Sequence, residues 1–149
     1  RPVRRLTAIE ALSRAGVPVG VMIAPMIPGL NDHELPALIL AAAEAGARFA
    51  AYTVVRLPYA VRPLFEDWLT RHYPERKEKV LNRIHSVRGG KLNDFRFGSR
   101  MRGEGFYADH ISQLFSISCR RAGLKGKHFP KLSATAFRRP GEVQLRLFD

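Results

Sequence analysis

"VGVMIAPMIPGLNDHE", Val19 to Glu34, sets a short apolar run against two prolines, a glycine and an Asn-Asp pair. The preceding residues extend the run to "VPVGVMI", Val17 to Ile23, nearly continuous in apolar side chains, as in a strand covered on both faces of a parallel sheet. "APMIPGLND" reads as a loop, because proline lacks the N–H a ladder needs and Pro-Gly turns the chain. Asn31 or Asp32 then predicts the cap of a helix, with Glu34 and Pro36 in its first turn. Leu35, Leu38, Ile39, Ala42 and Ala45 form its apolar stripe, and Gly46 ends it. "RFAAYTVVRLP", Arg48 to Pro58, is a second apolar strand closed by proline. About 30 residues separate the two strand starts, the length of one right-handed βαβ unit.

Working outward, Leu6, Ile9 and Leu12 recur at helical spacing before the first strand and stop at Gly16. The chain opens at Arg1 inside that pattern, which predicts further protein upstream. Beyond Pro58 the strands are expected to stop. Leu64, Phe65, Trp68 and Leu69 share a helical face, Pro74 begins another helix carrying Val80, Leu81 and Ile84, and Tyr107 to Ala122 turns Ile111, Leu114, Phe115 and Cys119 inward before Gly123. Between them lies "RGGKLNDFRFGSRMRGEG", Arg88 to Gly105, expected to bury little and to form a loop or extended arm. The last residues look irregular.

A chain of 149 residues with 46% hydrophobic content suits one ordinary domain. No apolar run reaches the roughly 20 residues that cross a bilayer, and no signal peptide is visible, so a cytoplasmic protein is expected. The net charge of +12 is concentrated: Arg76 to Arg139 holds 16 Lys or Arg against four acids, and the remainder is neutral. Cys119 is the only cysteine and reads as a small buried hydrophobe. The five histidines show no metal-ligand spacing, so no metal site is expected within this chain. Asp32 with Glu34, and Asp109 with His110, read as cap and surface groups rather than acid-base pairs.

In α/β sheets ligands gather at the carboxyl ends of strands, where loops and helix N-termini converge. "APMIPGLND" and "VVRLPY" both sit at such ends, and in a parallel unit they share one edge. Spacing alone also allows the plain reading, in which prolines end strands and Asn31-Asp32 caps a helix.

The ordered series, with "RRLTAIEALSRAGVPVGVMIAPMIPGLNDHELPALILAAAEAGA" followed by "RGGKLNDFRFGSRMRGEG", resembles the closing part of the radical S-adenosylmethionine enzymes, in particular the group related to spore photoproduct lyase and called DNA-repair-photolyase-like. The resemblance implies an α/β fold: residues 1–60 as the last βα units of a partial (β/α)6 TIM-like barrel, residues 61–125 as a helical basic extension, and residues 126–149 as an irregular tail. It implies that Ile23, Pro25, Ile27 and Pro28 on one strand end, and Arg56, Leu57 and Pro58 on the other, pack on the adenine and ribose of S-adenosylmethionine. Arg56 can pair there with a carboxylate or phosphate, or form an exterior salt bridge. The family holds a four-iron four-sulfur cluster on three closely spaced cysteines and cleaves S-adenosylmethionine to a 5′-deoxyadenosyl radical. This chain lacks those cysteines, so the cluster ligands are expected upstream and the chain is expected to be inactive alone.

Two partner expectations complete the reading. Cations interleaved with aromatics, especially Arg88, Lys91, Arg96, Arg100 and Arg102 around Phe95 and Phe97, suit phosphate neutralisation with base stacking; a basic solvated face is the alternative. "QLRLF", with Gln144, Leu145, Leu147 and Phe148, resembles the peptide by which bacterial replication and repair proteins dock on the sliding clamp, with an edge strand as the alternative.

Overall fold

The computed structural model describes residues 2–126 and residue 135. The element order is α1 (Pro2–Arg14), β1 (Gly20–Met26), α2 (Leu35–Glu44), β2 (Phe49–Val54), α3 (Val61–His72), α4 (Lys77–Ser86), α5 (Ser99–Arg102), α6 (Phe106–Arg121) and β3 (Lys125–Gly126). Among the described residues the strands form one parallel sheet in the order β1-β2-β3.

Helices α1, α2 and α6 stop where glycine permits a positive φ. Gly46 sits at φ 96°, its N–H donates to the Ala43 carbonyl at 2.9 Å, and Ala47 N–H reaches back to Ala42 at 2.9 Å. The same closure ends α1 at Gly16 and α6 at Gly123.

β1 and β2 pair in register from Gly20 with Phe49 to Ile23 with Tyr52, then slip, so that Met26 faces Val54. The slip leaves two β1 residues, Ala24 and Pro25, opposite the single Thr53. Proline fits there because a bulged position needs no ladder donor. The Ala24-Pro25 peptide is cis.

Side chains alternate across β2, with Ala50, Tyr52 and Val54 buried and the intervening residues half-exposed. The buried set joins Ile23 and Met26 of β1, Ile9 of α1, Leu35, Ile39 and Ala42 of α2, and Ala108, Ile111, Phe115 and Cys119 of α6 in one core. Tyr52 and Phe115 pack with ring centroids 4.8 Å apart. Each Leu, Ile, Val, Met or Phe so buried contributes about 1.5–3 kcal/mol. The other face, with Gly20, Met22 and Ala24 beside Phe49, Ala51 and Thr53, takes no part in that core, and Met22 is 59% exposed. The expected burial of both faces is therefore found for one only.

Three expectations for the later chain change. Strands do not stop at Pro58, since β3 pairs with β2 through Phe49 with Lys125 and Ala50 with Gly126. Helix α6 is not a separate extension, because its apolar stripe packs with α2 and the strands in the first core. The stretch from Arg88 to Gly105 is not a free arm, because Arg88, Leu92 and Asp94 are buried. A second core, with Leu30, Val55, Leu57, Leu69, Val80, Ile84 and Leu92, joins the strand ends to α3 and α4.

Candidate functional site at the strand ends

The carboxyl ends of β1 and β2 lie side by side: Val55 N–H donates to the Met26 carbonyl at 2.8 Å. The loop after β1 is locked by its own polar residues rather than capping α2. Asn31 Oδ1 accepts from Ile27 N–H at 2.7 Å, and Asn31 Nδ2 donates to the Pro25 carbonyl at 3.1 Å. Asp32 Oδ2 accepts from Gly29 N–H at 3.1 Å and from the Tyr107 hydroxyl of α6. No side-chain cap bond is present at the start of α2. The Asn-Asp pair therefore fixes the loop, and Arg83 of α4 lies 4.1 Å above the Tyr107 ring centre. Burial, together with the Asp32 carboxylate, pushes the Tyr107 hydroxyl up to about 12.

The seven residues expected to meet an adenosyl group divide. Ile23 turns into the helix-side core, Pro28 is fully buried, and Leu57 belongs to the second core, so these three support the edge rather than line it. Ile27 is half-buried and borders a cleft of about 330 Å³ with Trp68 and Tyr73. Pro25 is exposed, while Arg56 and Pro58 are half-buried. Arg56 keeps a buried Nε without a hydrogen-bond partner among the described residues.

Arg88 is the largest departure from expectation. Read as a phosphate-binding cation, it is 2% exposed. Its Nη2 donates to the carbonyls of Val54 at 2.9 Å and Val55 at 2.8 Å, and its Nη1 to Arg100 at 2.7 Å and Ser99 at 3.2 Å. Four carbonyls occupy its two Nη groups, while its buried Nε has no partner among the described residues, so Arg88 is withdrawn from the nucleic-acid set. Arg96 is also engaged, with Asp94 at 3.1 Å and Glu104 at 2.7 Å. Its hydrogen bond to Asp94, followed by that of Ser99, holds the Asp94 carboxyl well below the usual carboxylate range. Lys91, Arg100 and Arg102 form no ion pair among the described residues, and Arg100 stacks 4.4 Å over the Phe97 ring. Sequence reasoning missed Tyr59, an exposed non-glycine residue at φ 42° directly after Pro58. Its only signal was the tyrosine following a strand-ending proline.

No family model matches the chain, and no solved structure matches it. The chain is similar to three mycobacterial proteins. Each is described only as uncharacterized, two from strains of Mycobacterium tuberculosis and one from Mycobacterium bovis, at 37% identity over 76 residues. The match takes in 50% of this chain but 22% of each relative, so the chain spans about a fifth of their length.

The residues fit the implied cofactors unequally. Among the described residues no group of three His, Cys, Asp or Glu could hold a metal ion, and Cys119 is buried in the core, so an iron-sulfur cluster finds no ligand set here. At the strand ends Pro25 is exposed and Arg56 and Pro58 are half-buried, so only their outward atoms are open to a ligand; the Arg56 Nε itself is buried. No described helix is long and apolar enough to cross a membrane. The tail residues Gln144, Leu145, Leu147 and Phe148 lie outside the described residues.

Proposed function

We propose that the chain is the carboxyl-terminal part of a cytoplasmic radical S-adenosylmethionine enzyme of the spore photoproduct lyase and DNA-repair-photolyase-like group, acting on nucleic acid. In this reading β1-α2-β2 is a slice of a partial (β/α)6 barrel and contributes the adenosyl side of the cofactor site. One observation carries it: two parallel strands end together at one edge, while helices cover one sheet face and the small or apolar face of Gly20, Met22, Ala24 and Ala51 stays outside their core. That is how a barrel wall is built, with helices outside and the inner face turned to the remaining strands.

When bound to its cluster, S-adenosylmethionine supplies hydrogen-atom abstraction. The iron-sulfur ligands belong to residues outside this chain, so no step through the cluster is derived from it. This chain's part is binding: Pro25 and Pro58 offer apolar surface, and Arg56 offers a donor to an anionic group. Clamp docking through Gln144, Leu145, Leu147 and Phe148 belongs to the same reading.

The test is anaerobic reconstitution of the full-length protein with iron and sulfide, followed by incubation with S-adenosylmethionine and a reductant. A cluster absorbance and 5′-deoxyadenosine are expected, and their absence would overturn the enzyme reading. A second reading, a nonenzymatic nucleic-acid-binding module, is favoured by the exposed Phe95 and Phe97 on a segment whose Lys91, Arg100 and Arg102 form no ion pair among the described residues. It expects steep loss of nucleic-acid affinity with salt and no 5′-deoxyadenosine.

A further inference from the structure

We infer that Tyr59, Phe95 and Phe97, with Arg100, form a stacking platform for unpaired nucleobases beside the carboxyl end of β2. The inference rests on the nucleic-acid reading above and deepens it by naming the form of nucleic acid.

Three large rings stand in water here: Tyr59 is 84% exposed, Phe95 60% and Phe97 91%. Tyr59 and Phe95 are neighbours, with centroids 5.9 Å apart. Tyr59 also holds φ 42°, a conformation that bulky residues rarely adopt, yet its ring gains no burial in return. Such a backbone outlier, ending in an exposed aromatic, points to a ligand outside the chain.

The platform is held by polar anchors instead of by sinking its rings. Arg88 fixes the carbonyls of Ser99 and Arg100 to the end of β2. Asp94 accepts from Arg96 N–H at 3.0 Å and from the Ser99 hydroxyl at 2.6 Å, bracketing Phe95 and Phe97. Preorganised rings lose little freedom when a base lands on them.

Charge selects the partner. Arg96 is offset by Asp94 and Glu104, leaving Arg100 over the Phe97 ring, with Lys91 and Arg102 on the same segment and in no ion pair among the described residues. A ligand must then combine negative charge with flat exposed faces. An unpaired strand supplies both, whereas a duplex keeps its base faces stacked inside and would meet only the cations. The four-residue α5 is too short to lie along a groove as a reading helix.

The experiment measures fluorescence anisotropy of the full-length protein with labelled oligothymidylate and with a duplex of equal length, across a salt series. Phe97→Ala and Tyr59→Ala are each expected to weaken single-strand binding about 5- to 150-fold without changing the salt slope, since stacking is not ionic. Arg102→Gln is expected to lower that slope by about 1. Phe97 is exposed, so its removal should leave the thermal transition unchanged, and quenching of a 2-aminopurine base by the wild type gives a second readout. Aromatic variants that bind like the wild type, or duplex bound as tightly as single strand, would overturn the platform while leaving nucleic-acid binding intact. No binding to either oligonucleotide, or capture by anionic vesicles alone, would overturn both the platform and the nucleic-acid reading. Formation of 5′-deoxyadenosine is scored separately and reports only on the enzyme.

Discussion

The Arg88 guanidinium donates to the Val55 carbonyl at 2.8 Å, so a residue from the loop after α4 closes the end of β2. The same side chain holds Val54, Ser99 and Arg100, tying the sheet edge to the aromatic loop. Burial pulls its pKa down, opposed by the Asp94 charge, but a guanidinium remains protonated throughout the accessible range. Arg88→Met strands the Val54 and Val55 carbonyls and should destabilise the protein by about 3 kcal/mol. Arg88→Lys, with a point charge in place of a fork, should recover only part of that. Urea midpoints of the two variants against wild type check the order.

Tyr107 supplies a pH test. Its folded value of about 12 lies above the ordinary 10.0, so the folded state keeps the proton longer than the unfolded chain does. The stabilisation is complete below about pH 10 and is lost as pH climbs from 10 to 12. Tyr107→Phe should abolish that component of the alkaline decline, and the difference between the two stability curves across this window measures it. At neutral pH the variant should lose about 1 kcal/mol or somewhat more, the contribution of one hydrogen bond to a carboxylate.

Asp94 behaves in the opposite sense. Its folded value is depressed, first by Arg96 and then by Ser99, so its contribution is present above the ordinary carboxylate value and is lost only as pH falls through the lower folded one. The loop should therefore stay pinned in mildly acidic solution. Asp94→Asn should release it even at neutral pH, seen as faster hydrogen exchange of the amides at 94–100 with the β2 amides unchanged.

Two glycines separate conformational from steric cost. Gly98 has φ 98° and open space around a would-be Cβ, whereas Gly103 at φ 80° would bring that Cβ to 2.8 Å from the Val87 carbonyl oxygen. Gly98→Ala should cost about 1–3 kcal/mol, since φ 98° with ψ −58° is backbone that an L-residue rarely adopts. Gly103→Ala should cost about 1–3 kcal/mol more through the clash. Thermal melts of both rank them.

The alternation of apolar runs with glycine-stopped helices made β1, α2 and β2 readable, because local turn chemistry and strand composition act within a few residues. The purpose of Asn31 and Asp32 was not readable, since Tyr107 lies 75 positions beyond Asp32. Arg88 was misread for the same cause: in "RGGK" nothing local distinguishes an arginine that donates to four distant carbonyls from one that faces water. The strand ends were placed only approximately, since β1 runs on to Met26 through residues read as loop and β2 stops at Val54 instead of Pro58; Ile23, Pro28 and Leu57 share an apolar character that suits a core as well as a ligand. Only packing decides between them.

The bulge at Ala24 and Pro25 also limits what can join β1 from its outer side. Regular pairing geometry runs only from Gly20 to Ile23, and Pro25 offers no donor beyond it. A neighbouring strand has four residues on which to zip before the geometry fails. A strand laid along that side is thus gripped by its backbone over a short segment only, so side-chain fit must supply the rest of its hold.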